Sequence, residues 1–147
     1  MNKICFLIRT SILILIPYLL AAQKNKSSEW QLYTEVAGIE IFYKYNECHI
    51  IEEGIHQEHV LLRFVNTGPY SMYITWHTQV FYDTFSIIDN TKENKFMLSL
   101  DGGELKEGTC DLGETKGLKI FSRFLNYDDK PTLKNFELTN IQVNPFY

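Results

Sequence analysis

Val60-Leu61-Leu62-Arg63-Phe64-Val65-Asn66, then Thr67-Gly68-Pro69, then Tyr70-Ser71-Met72-Tyr73-Ile74-Thr75-Trp76-His77-Thr78-Gln79-Val80-Phe81-Tyr82-Asp83 is the stretch on which the fold turns. Its second part alternates. Met72, Ile74, Trp76, Thr78 and Val80 share one parity, and Ser71, Tyr73, Thr75, His77 and Gln79 share the other, which is the period of a strand and not of a helix. Thr67-Gly68-Pro69 is turn chemistry, so the two runs are expected to pair as an antiparallel hairpin with the Trp76 face in a core.

The same reading extends outward in both directions. Upstream, Trp30 to Val36 and Gly38 to Asn46 read as strands, the second with Ile39, Ile41, Tyr43 and Tyr45 on one face. Glu52-Glu53-Gly54 marks a turn into the next strand. Downstream, Phe85 to Asp89 is a short edge candidate, Asp89 to Asn94 a polar loop, and Lys95 to Leu100 a strand with Phe96, Leu98 and Leu100 inward. After the Asp101-Gly102-Gly103 turn, Leu105 to Gly117 reads as a crossing connection. Leu118 to Asn126 is apolar on both parities and is expected to be central. Leu133 to Tyr147 is the last strand, and its apolar parity switches from Phe136 and Leu138 to Ile141 and Val143, which calls for a bulge at Thr139-Asn140. About seven or eight strands at this spacing specify an all-β, antiparallel β-sandwich, with a small closed barrel as the alternative.

The sequence has 147 residues, 45% of them hydrophobic and 22% charged, enough apolar material for one core. The first 22 are read as a secretory signal: Lys3 and Arg9, an apolar run from Ser11 to Leu20, and small residues Ala21 and Ala22. That run is too short to span a bilayer, so no stable membrane span is expected once it is cleaved. The expected layout is signal 1–22, a flexible leader 23–28 and a single domain 29–147. Cleavage leaves 125 residues with 12 basic against 18 acidic side chains, a charge of −6, which gives no general attraction to nucleic acid. Two cysteines remain, Cys48 and Cys110, and in an oxidising compartment, periplasmic or extracellular, a disulfide between them is the default. Cys48 has the opposite parity to the Ile39–Tyr45 face, so reaching Cys110 through the interior requires the strand to end or bulge near Asn46-Glu47.

The order of a Leu-x-Phe-x-Asn strand end, a turn, a Trp-bearing strand and a Gly-rich connection resembles an immunoglobulin-like or fibronectin-type sandwich, in architecture only, because the cysteines are placed differently. The chain also resembles short exported β-sandwich proteins of uncharacterised function found in Bacteroidota. Leu61, Leu62, Phe64, Val65, Asn66, Glu107, Gly108 and Cys110 carry that likeness. It implies export and fold, and brings no catalytic residue with it.

Chemistry is sparsely marked. His49, His56 and His59, with His77 on a neighbouring strand, are the metal-ligand candidates, since imidazole is a usual zinc ligand. Their spacing fits no helical His-Glu-x-x-His pattern, and a solvated hairpin end explains them more simply, so no metal or other cofactor is expected. Asp101 to Glu104 and Asp128-Asp129 lack the spacing of a calcium loop and suit turns. There is no Gly-x-Ser-x-Gly elbow and no phosphate-cradling loop, so the chain is not read as an enzyme. Nineteen aromatics follow the signal, and Phe42, Tyr73, Phe81 and Phe121 fall on outer parities. Such rings could anchor a protein or glycan partner, or simply pair across strands. The expected function is a non-catalytic binding or adhesion module of the envelope or extracellular space. Two alternatives are a hydrolase inhibitor presenting residues 101–110 and a metal-binding protein using the four histidines.

Overall fold

In a computed structural model the described residues are 26–88, 94–111, 113 and 116–146. The signal segment and most of the 89–94 loop lie outside them. Among the described residues nine antiparallel strands form two sheets: β1 (Gln31–Val36), β2 (Ile39–Ile50), β3 (Ile55–Asn66), β4 (Met72–Tyr82), β5 (Ser86–Ile87), β6 (Lys95–Leu100), β7 (Leu105–Glu107), β8 (Lys119–Phe124) and β9 (Leu133–Pro145). In the first sheet β2 pairs β3 along its whole length, and β7 and β8 share the opposite edge of β3. In the second, β9 runs along one edge of β4, and β6 and β5 follow each other along the other. Among the described residues no helix is long and apolar enough to cross a membrane.

The core is the apolar parity of each strand. Ile39, Ile41, Val60, Leu62 and Phe64 of the first sheet meet Ile74, Trp76, Leu100 and Phe136 of the second. Trp76 is fully buried, its ring 4.6 Å from that of Phe64 and 5.8 Å from that of Phe96. Tyr33, Tyr43 and Phe136 close a second ring cluster at 5.5–6.3 Å. The architecture is thus the expected all-β sandwich.

Its central connection differs from expectation. The runs ending at Asn66 and starting at Met72 do not pair as a hairpin: they lie in opposite sheets, joined by an arch. Both edges of β3 and of β4 are already occupied by other strands, so no edge is left for them to share. Asn66 holds the arch, its buried amide donating to the carbonyls of Tyr70 (2.7 Å), Asp101 (3.0 Å) and Leu100 (3.3 Å) and accepting from the Gly68 N–H (3.0 Å). Gly102 packs so closely here that a Cβ would stand 2.3 Å from the Pro69 carbonyl oxygen.

Three other expectations are corrected. The segment 118–126 is not central: among the described residues β8 pairs only with β3 and lies at the sheet edge. The crossing connection contains a strand, β7, too short and too charged to stand out by alternation. β2 neither ends nor bulges at Asn46-Glu47, because its register with β3 is unbroken from Ile39 to Ile50. Cys48 reaches Cys110 across the outer face instead, with Cα atoms 5.4 Å apart, so the opposite parity is what the bond requires. Of the leader, residues 23–25 lie outside the described residues, while Lys26 Nζ donates to Glu58 (2.9 Å) and Ser27 O accepts the Tyr45 N–H (2.8 Å). The bulge expected at Thr139-Asn140 is present, where the β4–β9 register shifts opposite Trp76 and Asn140 takes a left-handed φ of 51°.

Candidate functional site

The β3–β8 ladder also contains a bulge, and it organises an aromatic surface at the sheet edge. His59 faces Phe121 and Glu58 faces Arg123, leaving Ser122 as an extra residue on β8. Both residues of the bulge turn toward Glu58, Ser122 Oγ donating to Oε1 at 2.8 Å and Arg123 Nη2 to Oε2 at 3.1 Å. Lys26 supplies a third donor. Burial pushes the Glu58 carboxyl upward, but hydrogen bonds from Lys26, Ser122 and Arg123 outweigh it and hold the group below its ordinary range. The same carboxylate, with the burial of the ring and Tyr43, helps push the Tyr45 hydroxyl up to about 12, burial being the largest cause.

One extra residue shifts the side-chain parity of everything after it. Phe121 and Phe124, three positions apart, therefore come to the same side, ring centroids 4.9 Å apart. Tyr127 continues the line at 5.9 Å from Phe124. On the other side, the β4–β9 register shifts between Phe81 and Tyr82, and the Tyr82 hydroxyl donates to the Phe121 carbonyl at 2.8 Å, tying the two sheets together. Tyr82 stacks on Phe85 at 4.8 Å, in a turn closed by Tyr82 N–H to Phe85 O at 2.8 Å. The result is an unbroken chain of rings, Phe85, Tyr82, Phe121, Phe124 and Tyr127, wrapping the β8 edge of the sandwich. Its middle is half-buried, while Phe85 is 47% and Tyr127 57% exposed. Beside it, Val80, Ile87, Phe96 and Ile120 line a cleft between the sheet edges.

Of the four outer-face aromatics expected from the sequence, only Phe121 belongs to this strip. Phe42 lies on β2, across from Arg63, while Tyr73 and Phe81 stand at opposite ends of β4. Tyr73 instead borders a shallow hollow with Met97, Ser99, Pro145 and Phe146. The polar parity of β4 is itself covered, Thr75 and His77 being buried between β6 and β9 and Gln79 beside β9. Tyr82, Phe85, Phe124 and Tyr127 were missed by strict alternation. The i, i+3, i+6 spacing of Phe121, Phe124 and Tyr127, which no straight strand can place on one face, is the signal that points to them.

The four histidines do not gather. His59, on the outer face of the first sheet, is buried against Phe121, and burial with the nearby Lys119 charge pushes its ring down to about 4. His77 is buried in the second sheet. Only His49 and His56 face each other, Nδ1 to Nδ1 at 3.0 Å. Among the described residues no three His, Cys, Asp or Glu side chains are grouped to hold a metal ion. The 101–110 segment is bound into the fold: Ser71 Oγ donates to Asp101, the Asp101 N–H to Glu104, the Asn66 N–H to the Glu104 carbonyl, and β7 pairs with β3.

No family model, curated protein or solved structure matches this chain.

Proposed function

We propose that the protein is an exported, non-catalytic binding module that engages a protein partner through the Phe85–Tyr127 aromatic strip. The observation that carries this reading is the continuity of the strip combined with exposure at both of its ends. Large rings held in place by neighbours lose little conformational entropy on contact, which is why aromatic side chains anchor interfaces. A protein partner is favoured over a glycan by the ring planes. Phe121 and Phe124 are inclined at 60°, and Phe124 and Tyr127 at 84°, so adjacent rings give knobs and clefts for side chains and not a flat platform for a sugar face.

Export is supported by the signal-like segment Met1 to Ala22 and by the Cys48–Cys110 bond, a covalent link at home in the periplasm or outside the cell. The test is capture from envelope and culture-fluid fractions by the untagged wild type and two double variants. Phe85→Ala/Tyr127→Ala is expected to lose the captured protein while keeping its melting temperature, and Tyr73→Ala/Met97→Ala is expected to retain it. The opposite pattern, or binding to glycans alone, contradicts the proposal.

A further inference from the structure

The β2–β3 hairpin end carries a feature that the partner-binding reading does not use. His49 and His56 are direct cross-strand partners, in register beside the Ile51–Glu53 turn. Their Nδ1 atoms stand 3.0 Å apart, close enough for one ring to donate to the other, with the rings tilted at 55°. The preceding residue, Cys48, is buried and bonded to Cys110, which ties this end of β2 to the segment after β7. On its far side the His49 ring presents Nε2 to the Glu47 carboxylate, 3.5 Å away. The tautomer with hydrogen on Nε2, toward the carboxylate, puts the His49 lone pair on Nδ1, on the side of His56, where it can accept from that ring or bind a metal ion.

We propose that the facing Nδ1 atoms of His49 and His56 form a surface site for a divalent transition-metal ion, Cu(II) in preference to Zn(II), with Glu47 orienting the His49 ring. The spacing permits the site and the affinity order of the metals sets the preference. With metal–nitrogen bonds of about 2.0 Å, two ligands at a right angle stand about 2.9 Å apart, and two at the tetrahedral angle about 3.3 Å. The 3.0 Å separation falls within that range, so one ion can bridge the two rings, and Cu(II) leads the general affinity order of imidazole for divalent ions. Two side-chain ligands leave the other positions to water, so the site binds and releases metal and does not hold it as a structural staple. His59 and His77 take no part, since one packs against Phe121 on the opposite face of β3 and the other is in the second sheet.

The proposal is tested by titrating the untagged protein with Cu(II) and with Zn(II) at near-neutral pH. Calorimetry gives affinity, and electron paramagnetic resonance counts the coordinated nitrogens. The expected result is one Cu(II) per chain with coupling to two imidazole nitrogens. His49→Ala and His56→Ala should each weaken binding at least tenfold and remove one nitrogen from the spectrum. Glu47→Gln should weaken it about tenfold and keep both nitrogens, as expected for a residue that positions a ligand. The Phe85→Ala/Tyr127→Ala variant should bind copper normally, which separates this site from the partner surface. Copper binding indifferent to both histidine substitutions, or zinc bound as tightly as copper, overturns the proposal.

Discussion

The two halves of β3 are built on opposite rules. From Val60 to Asn66 the strand alternates strictly, sending Val60, Leu62 and Phe64 into the core opposite Ile74 and Trp76. From Ile55 to His59 the neighbouring β8 carries an extra residue, and the inner face ends in a carboxylate with three donors where the apolar half has none. The first half makes a core by repetition. The second breaks repetition, and the break is what gathers rings at the edge of the sandwich. A regular strand stabilises; an irregular one displays.

If that contrast holds, substitutions in the regular half should cost far more stability than those in the displayed rings. The largest expected effect is Trp76→Ala, which empties a fully buried site between Phe64 and Phe96 and should lower unfolding free energy by about 4 kcal/mol in denaturant melts. Next is Glu58→Gln, which keeps the shape but removes the charge that holds the bulge. About 2 kcal/mol should be lost, with faster amide exchange confined to β8. An equal rise in exchange across both sheets would mean that the bulge is not a separate unit.

The pH dependence sharpens the same boundary. His59 has its folded pKa pushed down to about 4 from an ordinary 6.5, so the unfolded chain takes up its proton first. Its contribution is fully present above pH 6.5 and is lost as pH falls through 4, a change on the order of 2 kcal/mol over that window. Comparing acid melts of wild type and His59→Gln isolates it from the carboxylates, and the variant should show the shallower fall. The smallest stability effect belongs to Tyr127→Ala, within about 0.5 kcal/mol, because the ring is 57% exposed. A loss of several kcal/mol there would make the strip a piece of core and not a surface.

Where alternation was regular, the sequence was a good guide: Ile39, Ile41, Tyr43 and Tyr45 are inward, and the parity switch at Phe136–Val143 marks a real bulge at Asn140. Parity also placed Cys48 on the right face, but the route of the disulfide over the outer surface depends on where the chain after β7 passes, which is a tertiary matter. The arch at Thr67–Ser71 was unreadable for a related reason. Gly68-Pro69 specifies a change of direction, while the choice between hairpin and arch depends on which edges of β3 and β4 other strands have taken. The strip was hidden because the Ser122 bulge is set against Glu58 on another strand, and locally only the three-residue spacing of Phe121, Phe124 and Tyr127 signals it.

The central claim, that the bulged edge is the contact surface, is tested most directly by placing a photo-crosslinking residue at position 127 or at position 73 and irradiating in the presence of native envelope and secreted fractions. The account predicts a discrete protein adduct from position 127 and none from position 73. An adduct from position 73 with none from 127 would contradict it.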